Sequence, residues 1–322
     1  MIVALAGGVG AARMLSGLVS VVPPEDITAV VNTGDDTVMH GLHISPDLDT
    51  VTYTLAGMIN PETGWGLRGE TWSAVGELRE LSAGRLGWFS LGDRDLGTHL
   101  YRTTRLAEGA PLSAVSAEIA DRWKLGLTIL PMTDDRVETR LVVDEGGRPG
   151  PELAFQEYFV RARHSVPVSS VRLVGADAAR PAPGVLDAIG RAGTVVICPS
   201  NPVLSIGPVL ATGGGTGIGA AVRARRESTV AVSPIIAGRA LKGPADRILT
   251  ELGHEPSVVG VARMWAPFAS TLVIDEADAG RVPEVEATGM RAVVGPTVMS
   301  GPAEAAALAR LVLDAAGGGS DR

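Results

Sequence analysis

The sequence is almost without cysteine. Cys198 is the only one in 322 residues, which excludes an intrachain disulfide and any cysteine-rich zinc cluster. A reducing compartment suits such a chain. Lysine is nearly as scarce, with only Lys124 and Lys242, so arginine carries most of the positive charge. No basic run offsets the net charge of −8 and the pI near 5.2, so a phosphate polymer would be repelled and no nucleic-acid partner is expected. Aromatic residues make up 4% of the chain against 45% hydrophobic residues. The interior must therefore be filled by Val, Leu, Ile and Ala, the composition of parallel sheets covered by helices rather than of an all-β binding domain. No run of about 18 apolar residues occurs, and the apolar start at Met1 lacks a basic leader. The expectation is a cytoplasmic protein with no membrane partner.

What the chain does have is a regular alternation of short apolar runs and helical spacing. Residues 2–6 form an apolar run ending in Gly7-Gly8-Val9-Gly10, and Met14, Leu15, Leu18 and Val19 then recur at helical intervals. This reads as strand, glycine turn, helix. Pro23-Pro24 stops the helix, and residues 27–31 form a second strand ending in Asn32-Thr33-Gly34-Asp35-Asp36. Two such units in series imply a parallel sheet. Helices are expected over 50–58, 71–81 and 96–106, and strands at 127–130 and 137–143 suggest a small excursion. The wound sheet should resume with strands at 170–174, 194–198 and 229–232 and near Val258 and Leu272. Between them come helices at 185–191, near Leu204, at 245–252 and at 302–316, the last with proline at its first position. The chain divides into an N-terminal part with a helical insertion at 1–125, a small subdomain at 126–168, a C-terminal part completing the sheet at 169–316, and a disordered tail at 317–322.

Several segments could carry chemistry. The glycine turn offers backbone N–H groups at a helix N-terminus, where glycines let an anion approach the main chain and the dipole favours negative charge. Gly8 and Gly10 are candidate phosphate contacts. Arg13 stands where the dinucleotide fingerprint has its third glycine and no Walker lysine follows, so a tight turn after a buried strand is the competing reading. Asp35 and Asp36 come at the C-terminal end of the second strand, the edge where open parallel sheets bind ligands, and Asp47 and Asp49 follow closely. Asp35 and Asp36 are candidate magnesium ligands against a diphosphate, and Asp36 and Asp49 are candidates to accept a hydrogen bond from a substrate hydroxyl. Helix capping would account for Asp47 or Asp49 as well.

Leu91-Gly92-Asp93-Arg94-Asp95-Leu96 packs three charges into a glycine-led turn. Asp93 and Arg94 are candidate substrate contacts, since a guanidinium binds phosphate oxygens in pairs or stacks on an aromatic ring. An ion pair that merely orders the turn is the alternative. His99, one turn further on, reads as a packed histidine rather than a base. Ser200 and Asn201 in Pro199-Ser200-Asn201-Pro202 can hydrogen-bond a base or a phosphate, unless the prolines only make a rigid turn. Lys242 stands near a helix start where an anion is favoured, with a plain surface lysine as the competitor. The glycine cluster at 213–219 lacks the lysine of a phosphate loop and reads as a flexible connector.

Taken together, Gly7-Gly8-Val9-Gly10, Asn32-Thr33-Gly34-Asp35-Asp36, Ser45-Pro46-Asp47-Leu48-Asp49-Thr50, Leu91-Gly92-Asp93-Arg94-Asp95-Leu96, Pro131-Met132-Thr133-Asp134, Phe155-Gln156-Glu157-Tyr158-Phe159, Pro199-Ser200-Asn201-Pro202 and Lys242-Gly243-Pro244-Ala245-Asp246 resemble the 2-phospho-lactate transferase family, over about 2–299. The resemblance implies a three-layer α/β/α fold with a mostly parallel Rossmann-like sheet and a smaller α+β subdomain, assembled as a homodimer. It also implies a magnesium-dependent reaction in the making of coenzyme F-420. A phosphoenolpyruvyl or 2-phospholactyl group would pass from a GDP-linked three-carbon acid to the ribityl hydroxyl of the deazaflavin Fo, releasing GMP. In that family the residues matching Asp49 and Arg94 contact the deazaflavin, and the glycine turn and Pro-Ser-Asn-Pro loop lie around the guanosine diphosphate. Ala11, in place of a glycine common in the first turn, and the glycine-rich 213–219 stretch depart from the pattern. A sister family of non-catalytic nucleotide-sugar-binding regulators of the gluconeogenesis-factor type shares only the start of this set. A nicotinamide dehydrogenase is disfavoured by the incomplete fingerprint and the lack of a catalytic His or Tyr-Lys pair.

Overall fold

The structure is a computed structural model that describes residues 1–317. In chain order the strands are β1 Ile2–Ala6, β2 Ile27–Val31, β3 Thr37–Met39, β4 Leu42–Ile44, β5 Thr128–Pro131, β6 Glu138–Asp144 and β7 Pro149–Ala154. They continue as β8 Val168–Val174, β9 Thr194–Ile197, β10 Thr229–Val232, β11 Ile235–Ile236, β12 Arg239–Ala240, β13 Thr271–Asp275 and β14 Arg291–Gly295. The helices begin with α1 Gly8–Leu18, α2 Pro46–Leu55, α3 Ser73–Leu81, α4 Asp95–Ala107, α5 Leu112–Trp123 and α6 Val185–Arg191. After these come α7 Gly207–Ala211, α8 Ile218–Ala224, α9 Ala245–Glu251, α10 Val258–Trp265, α11 Val282–Glu286 and α12 Pro302–Gly317.

The main sheet has seven strands in the order β14-β13-β10-β9-β1-β2-β5, and every pairing in it is parallel. Strands β1, β2 and β10 are buried at every residue, as a sheet covered on both faces requires. Alternate residues of one strand feed opposite cores. Val3 and Leu5 of β1 pack with α6, α8 and α10, whereas Ala4 and Ala6 pack with α1 and α12. The expected three-layer α/β/α fold is therefore present, and β7-β6-β8 forms the smaller antiparallel sheet beside it.

Three strand readings are corrected. Residues 128–131 lie on the edge of the main sheet against β2, not in the small one. Residues 168–174 join the small sheet, antiparallel to β6. The burial of β8 gives the reason: several of its residues face solvent, which a central parallel strand does not tolerate. The run at Val258 is helix α10, whose N-terminus is capped by the Ser257 hydroxyl. It is apolar on nearly every side, and periodicity cannot tell such a helix from a buried strand.

The 213–219 stretch is a packed corner rather than a flexible connector. It joins α7 to α8, the Gly213 amide donates to Ala176 O at 2.9 Å, and a Cβ on Gly217 would meet Thr212 O at 1.9 Å. Gly317, expected in the tail, closes α12; the rest of that tail lies outside the described residues. Among the described residues no single helix is long and apolar enough to cross a membrane. The one bent pair of suitable composition, Pro202–Ala211 with Gly214–Ala224, contributes Ile206, Val209, Ile218 and Val222 to the core.

Helix α1 packs closely on α12 because Gly17 has no side chain: a Cβ there would lie 2.2 Å from Ala305 O, a backbone atom that cannot swing aside. Gly17→Ala should therefore lose about 1–3 kcal/mol in urea denaturation. Gly97→Ala, on the open face of α4 with nothing within 4 Å, should gain up to about 1 kcal/mol from helix propensity. Equal effects at the two positions would mean that the α1–α12 contact is looser than described.

Candidate active site

Strand order reverses between β1 and β9, and the loops leaving their C-terminal ends form the crevice where open α/β sheets bind ligands. The two loops touch. A Cβ on Gly10 would sit 2.2 Å from Pro199 O, and the Ser200 hydroxyl donates to Gly7 O at 2.7 Å. Gly8 takes the left-handed φ of +68° as the chain enters α1. Asn201 accepts from the amides of Val203 and Leu204, both at 3.0 Å, and so caps the helical turn that follows it.

Above this crevice lies a cavity of about 830 Å³. Gly8, Gly10, Asp35, Asp49, Ser200, Asn201 and Lys242 all line it, so the structure gathers residues from five separate sequence motifs. Asp36, Asp93 and Arg94 are not among the lining residues. Asp36 turns toward α2, where the Ser45 hydroxyl donates to it at 2.6 Å. Asp93 caps α3, accepting from the amides of Ser73 and Ala74 at 3.0 Å; these bonds, with the Thr71 hydroxyl first among them, hold its carboxyl below the ordinary range. The exposed Arg94 donates to Arg68 O. No ion pair of Arg94 with Asp93 or Asp95 forms among the described residues.

Asp47 sits in the centre of the site. It accepts from Asn32 Nδ2 at 2.9 Å, and the Gly8 amide at the start of α1 also supports it. Asn32 in turn holds the Gly34 amide at 2.8 Å, which fixes the loop that presents Asp35. Burial first, and then the Asp47 charge, push the Asp35 carboxyl well above its usual range. Asp36 is raised chiefly by burial. Oδ1 of Asp35 and Oδ1 of Asp36 are buried without a hydrogen-bond partner.

A second cluster was not read from the sequence. Helix α2 presents Asp49 and Tyr53, and α4 presents Asp95, His99 and Arg102 at i, i+4 and i+7. Arg102 Nη2 donates to Asp49 Oδ1, and its Nη1 donates to Asp49 Oδ2 at 3.2 Å. The same Nη1 stands 3.2 Å from His99 Nδ1. His99 Nε2 faces Asp95 Oδ2 at 3.3 Å, and the Tyr53 hydroxyl donates to Asp95 Oδ1 at 2.6 Å. Burial raises the Tyr53 phenol, with Asp49 and Asp95 adding to the shift. The signal was available in the spacing of charged residues on α4, but a polar face at that spacing usually faces solvent.

Trp65, Phe89, Leu91, Ser233, Thr297 and Lys242 also line the cavity, and Phe89 and Leu91 pack with Leu96 of α4. Phe155 and Phe159, which line it too, stack at 4.4 Å. Lys242 Nζ donates to Thr63 O at 3.2 Å, so the loops at 63 and 242 meet across the opening.

Asp47 provides a test of this electrostatic picture. Burial lifts its folded-state pKa from 3.8 to about 6, so the folded chain holds a proton that the unfolded chain releases. The stability contributed by that proton is complete below pH 3.8 and is lost as pH rises through about 6. Asp47→Asn should therefore match wild type in acid and become more stable by roughly 1–3 kcal/mol at neutral pH, while activity falls. Denaturant melts of both proteins across that range check it; a pH-independent difference would remove Asp47 as the source.

Comparison with known proteins agrees with the fold and the gathered motifs. The profile of the family described as 2-phospho-L-lactate transferase CofD matches residues 2–292. A phosphoenolpyruvate transferase of Streptomyces griseus is 46% identical, covering 98% of this chain and 98% of its own. One from Thermobifida fusca is 47% identical over 98% and 97%, and one from Mycolicibacterium smegmatis 42% identical over 98% and 98%. A crystal structure of a upf0052 family member from Bacillus halodurans shares the fold with a TM-score of 0.62 at 16% identity, covering 97% of this chain and 98% of that one.

Proposed function

Because the chain belongs to the 2-phospho-L-lactate transferase CofD family and is a transferase, we propose that it moves a phosphoenolpyruvyl group from a GDP-linked donor to the ribityl hydroxyl of a deazaflavin in the formation of coenzyme F-420. The enolpyruvyl donor is preferred over the lactyl one because the full-length relatives are named phosphoenolpyruvate transferases. The observation that carries the reading is the shared wall of one cavity. The glycine turn, Asp35, Asp47 and Asp49 line it together with the aromatic side chains of Trp65, Phe89, Phe155 and Phe159.

In this reading the diphosphate lies against the α1 N-terminus, where the amides of Val9 and Gly10 have no helical partner. Ser200, Asn201 and Lys242 lie toward the nucleotide, and Trp65 and Phe89 toward the tricyclic ring. The hydroxyl oxygen attacks the phosphorus that carries the acid. A new phosphorus–oxygen bond forms, the anhydride bond breaks, GMP leaves and the hydroxyl proton is released. Asp49 orients the attacking hydroxyl, and most of the rate enhancement comes from alignment and charge stabilisation. Asp93 and Arg94 make no substrate contact in this arrangement.

The aspartates also suit magnesium. Asp35 has a buried oxygen without a partner, Asp47 lies beside it, and both face the cavity; hard carboxylate oxygens are what this ion takes. Asp36, the other candidate ligand, is drawn away by Ser45, so Asp47 replaces it in this role. Among the described residues no group of three ligating side chains stands together as a metal site, so Asp35 and Asp47 would hold the ion as a pair. Bound there, magnesium would neutralise charge on the diphosphate.

The test is mass spectrometry of the protein incubated with the deazaflavin alcohol, magnesium and either GDP-linked enolpyruvate or GDP-linked lactate, following the deazaflavin mass and GMP together. The expected result is a phosphoenolpyruvyl adduct formed in step with GMP. Asp35→Asn should weaken activation by magnesium at least about tenfold. Deazaflavin left unmodified with both donors would overturn the reading.

A further inference from the structure

Among the described residues Arg102 is the largest fully buried side chain, and only 2% of it is exposed. Burying a guanidinium is expensive, and apolar side chains of similar volume commonly replace a buried ion pair without loss of stability. The arrangement is also incompletely satisfied, because Arg102 Nε has no hydrogen-bond partner. Stability alone does not account for such a residue. Its two terminal nitrogens both engage Asp49, which lines the cavity, whereas Arg102 itself does not.

The guanidinium is in turn held by its own helix. Arginine only donates, so His99 Nδ1 must accept from Nη1, and the ring proton is left on Nε2, facing Asp95. Asp95 is fixed from the other side by the Tyr53 hydroxyl. Because Tyr53 and Asp49 share α2, the chain of contacts closes on itself: α2 to α4 through Tyr53 and Asp95, and α4 back to α2 through Arg102 and Asp49. A two-pronged contact removes the rotation that a single hydrogen bond would leave to the Asp49 carboxylate.

We propose that Arg102 is a positioning residue: it locks the Asp49 carboxylate, with His99 and Asp95 as its backing, in the orientation that receives the acceptor hydroxyl. This rests on the transfer reaction proposed above and adds a residue that never touches substrate. Because its two-pronged contact is to Asp49, which lines the cavity, the two residues should be non-additive.

The experiment is a double-mutant cycle with Asp49→Asn, Arg102→Met and the double variant, read as kcat with saturating donor and as acceptor affinity by fluorescence. Arg102→Met should lower kcat at least about tenfold in the wild-type background and less than about twofold in the Asp49→Asn background. Acceptor affinity and donor KM should stay within about threefold, since neither ring nor nucleotide meets Arg102. Should Arg102→Met fail to fold, Arg102→Lys, which keeps the charge but loses the fork, takes its place in the same cycle. Additive losses, or full kcat in the folded single variant, overturn the positioning role while leaving the transfer reaction intact. A wild-type protein that makes no product overturns the reaction and, with it, this role.

Discussion

The structure is organised around crowded negative charge at the C-terminal edge of β2. Asp35, Asp36, Asp47 and Asp49 are brought together where water is largely excluded, and Arg102 is the guanidinium buried among them. Each neighbouring element contributes to holding that charge. Asn32 and the first amide of α1 support Asp47, Ser45 supports Asp36, and Arg102 supports Asp49. Asp35 receives the least: burial and the adjacent Asp47 raise it, and one of its oxygens is unpartnered. A carboxylate left in that condition binds a cation or a proton, and the choice between them depends on pH and on the ion available.

How much of this was legible follows from the type of signal. The parallel sheet could be read because β1, β2 and β10 are continuous apolar runs, each bounded by glycine, proline or polar turns. The glycine turn, the aspartate loop and the Pro-Ser-Asn-Pro loop could be read because each sits at the end of such a run. Strands β5 and β8 were exchanged between sheets because strand pairing is a long-range property. Residue 128 pairs with residue 28 across the whole helical insertion, and nothing local to either strand records it. Asp93 and Arg94 attracted attention by charge density; in the structure Asp93 caps α3 and Arg94 donates to a backbone carbonyl. The residues that matter on α4 were hidden for the opposite reason. Asp95, His99 and Arg102 lie on the buried face of a helix whose exposed positions include Leu100 and Tyr101, so the usual polar-out pattern is inverted there.

That inversion bears on how the proposed reaction could be arranged. Phosphoryl-type transfer asks little covalent work of a protein and a great deal of alignment, because attacking oxygen, phosphorus and leaving oxygen must stand nearly in line. In the proposed arrangement the nucleotide half of the cavity rests on the loops at the strand ends, where Gly10 and Pro199 are in contact and Ser200 is tied to Gly7. The proposed acceptor half rests on α2 and α4, which lie outside the sheet; α2 packs on α1, and its Leu48 and Val51 join the core beside the sheet. Hydrogen bonds from Tyr53 to Asp95 and from Arg102 to Asp49 tie α4 to α2. Asp47 and, two residues later, Asp49 both line the cavity from the first turn of α2, and in the proposed arrangement the first would face the diphosphate and the second the acceptor. The spacing between donor and acceptor is then set by less than one helical turn, the stiffest ruler the chain can supply. An apolar α4 would hold the two helices together equally well, but it would leave the orientation of Asp49 free, and orientation is what an in-line transfer needs.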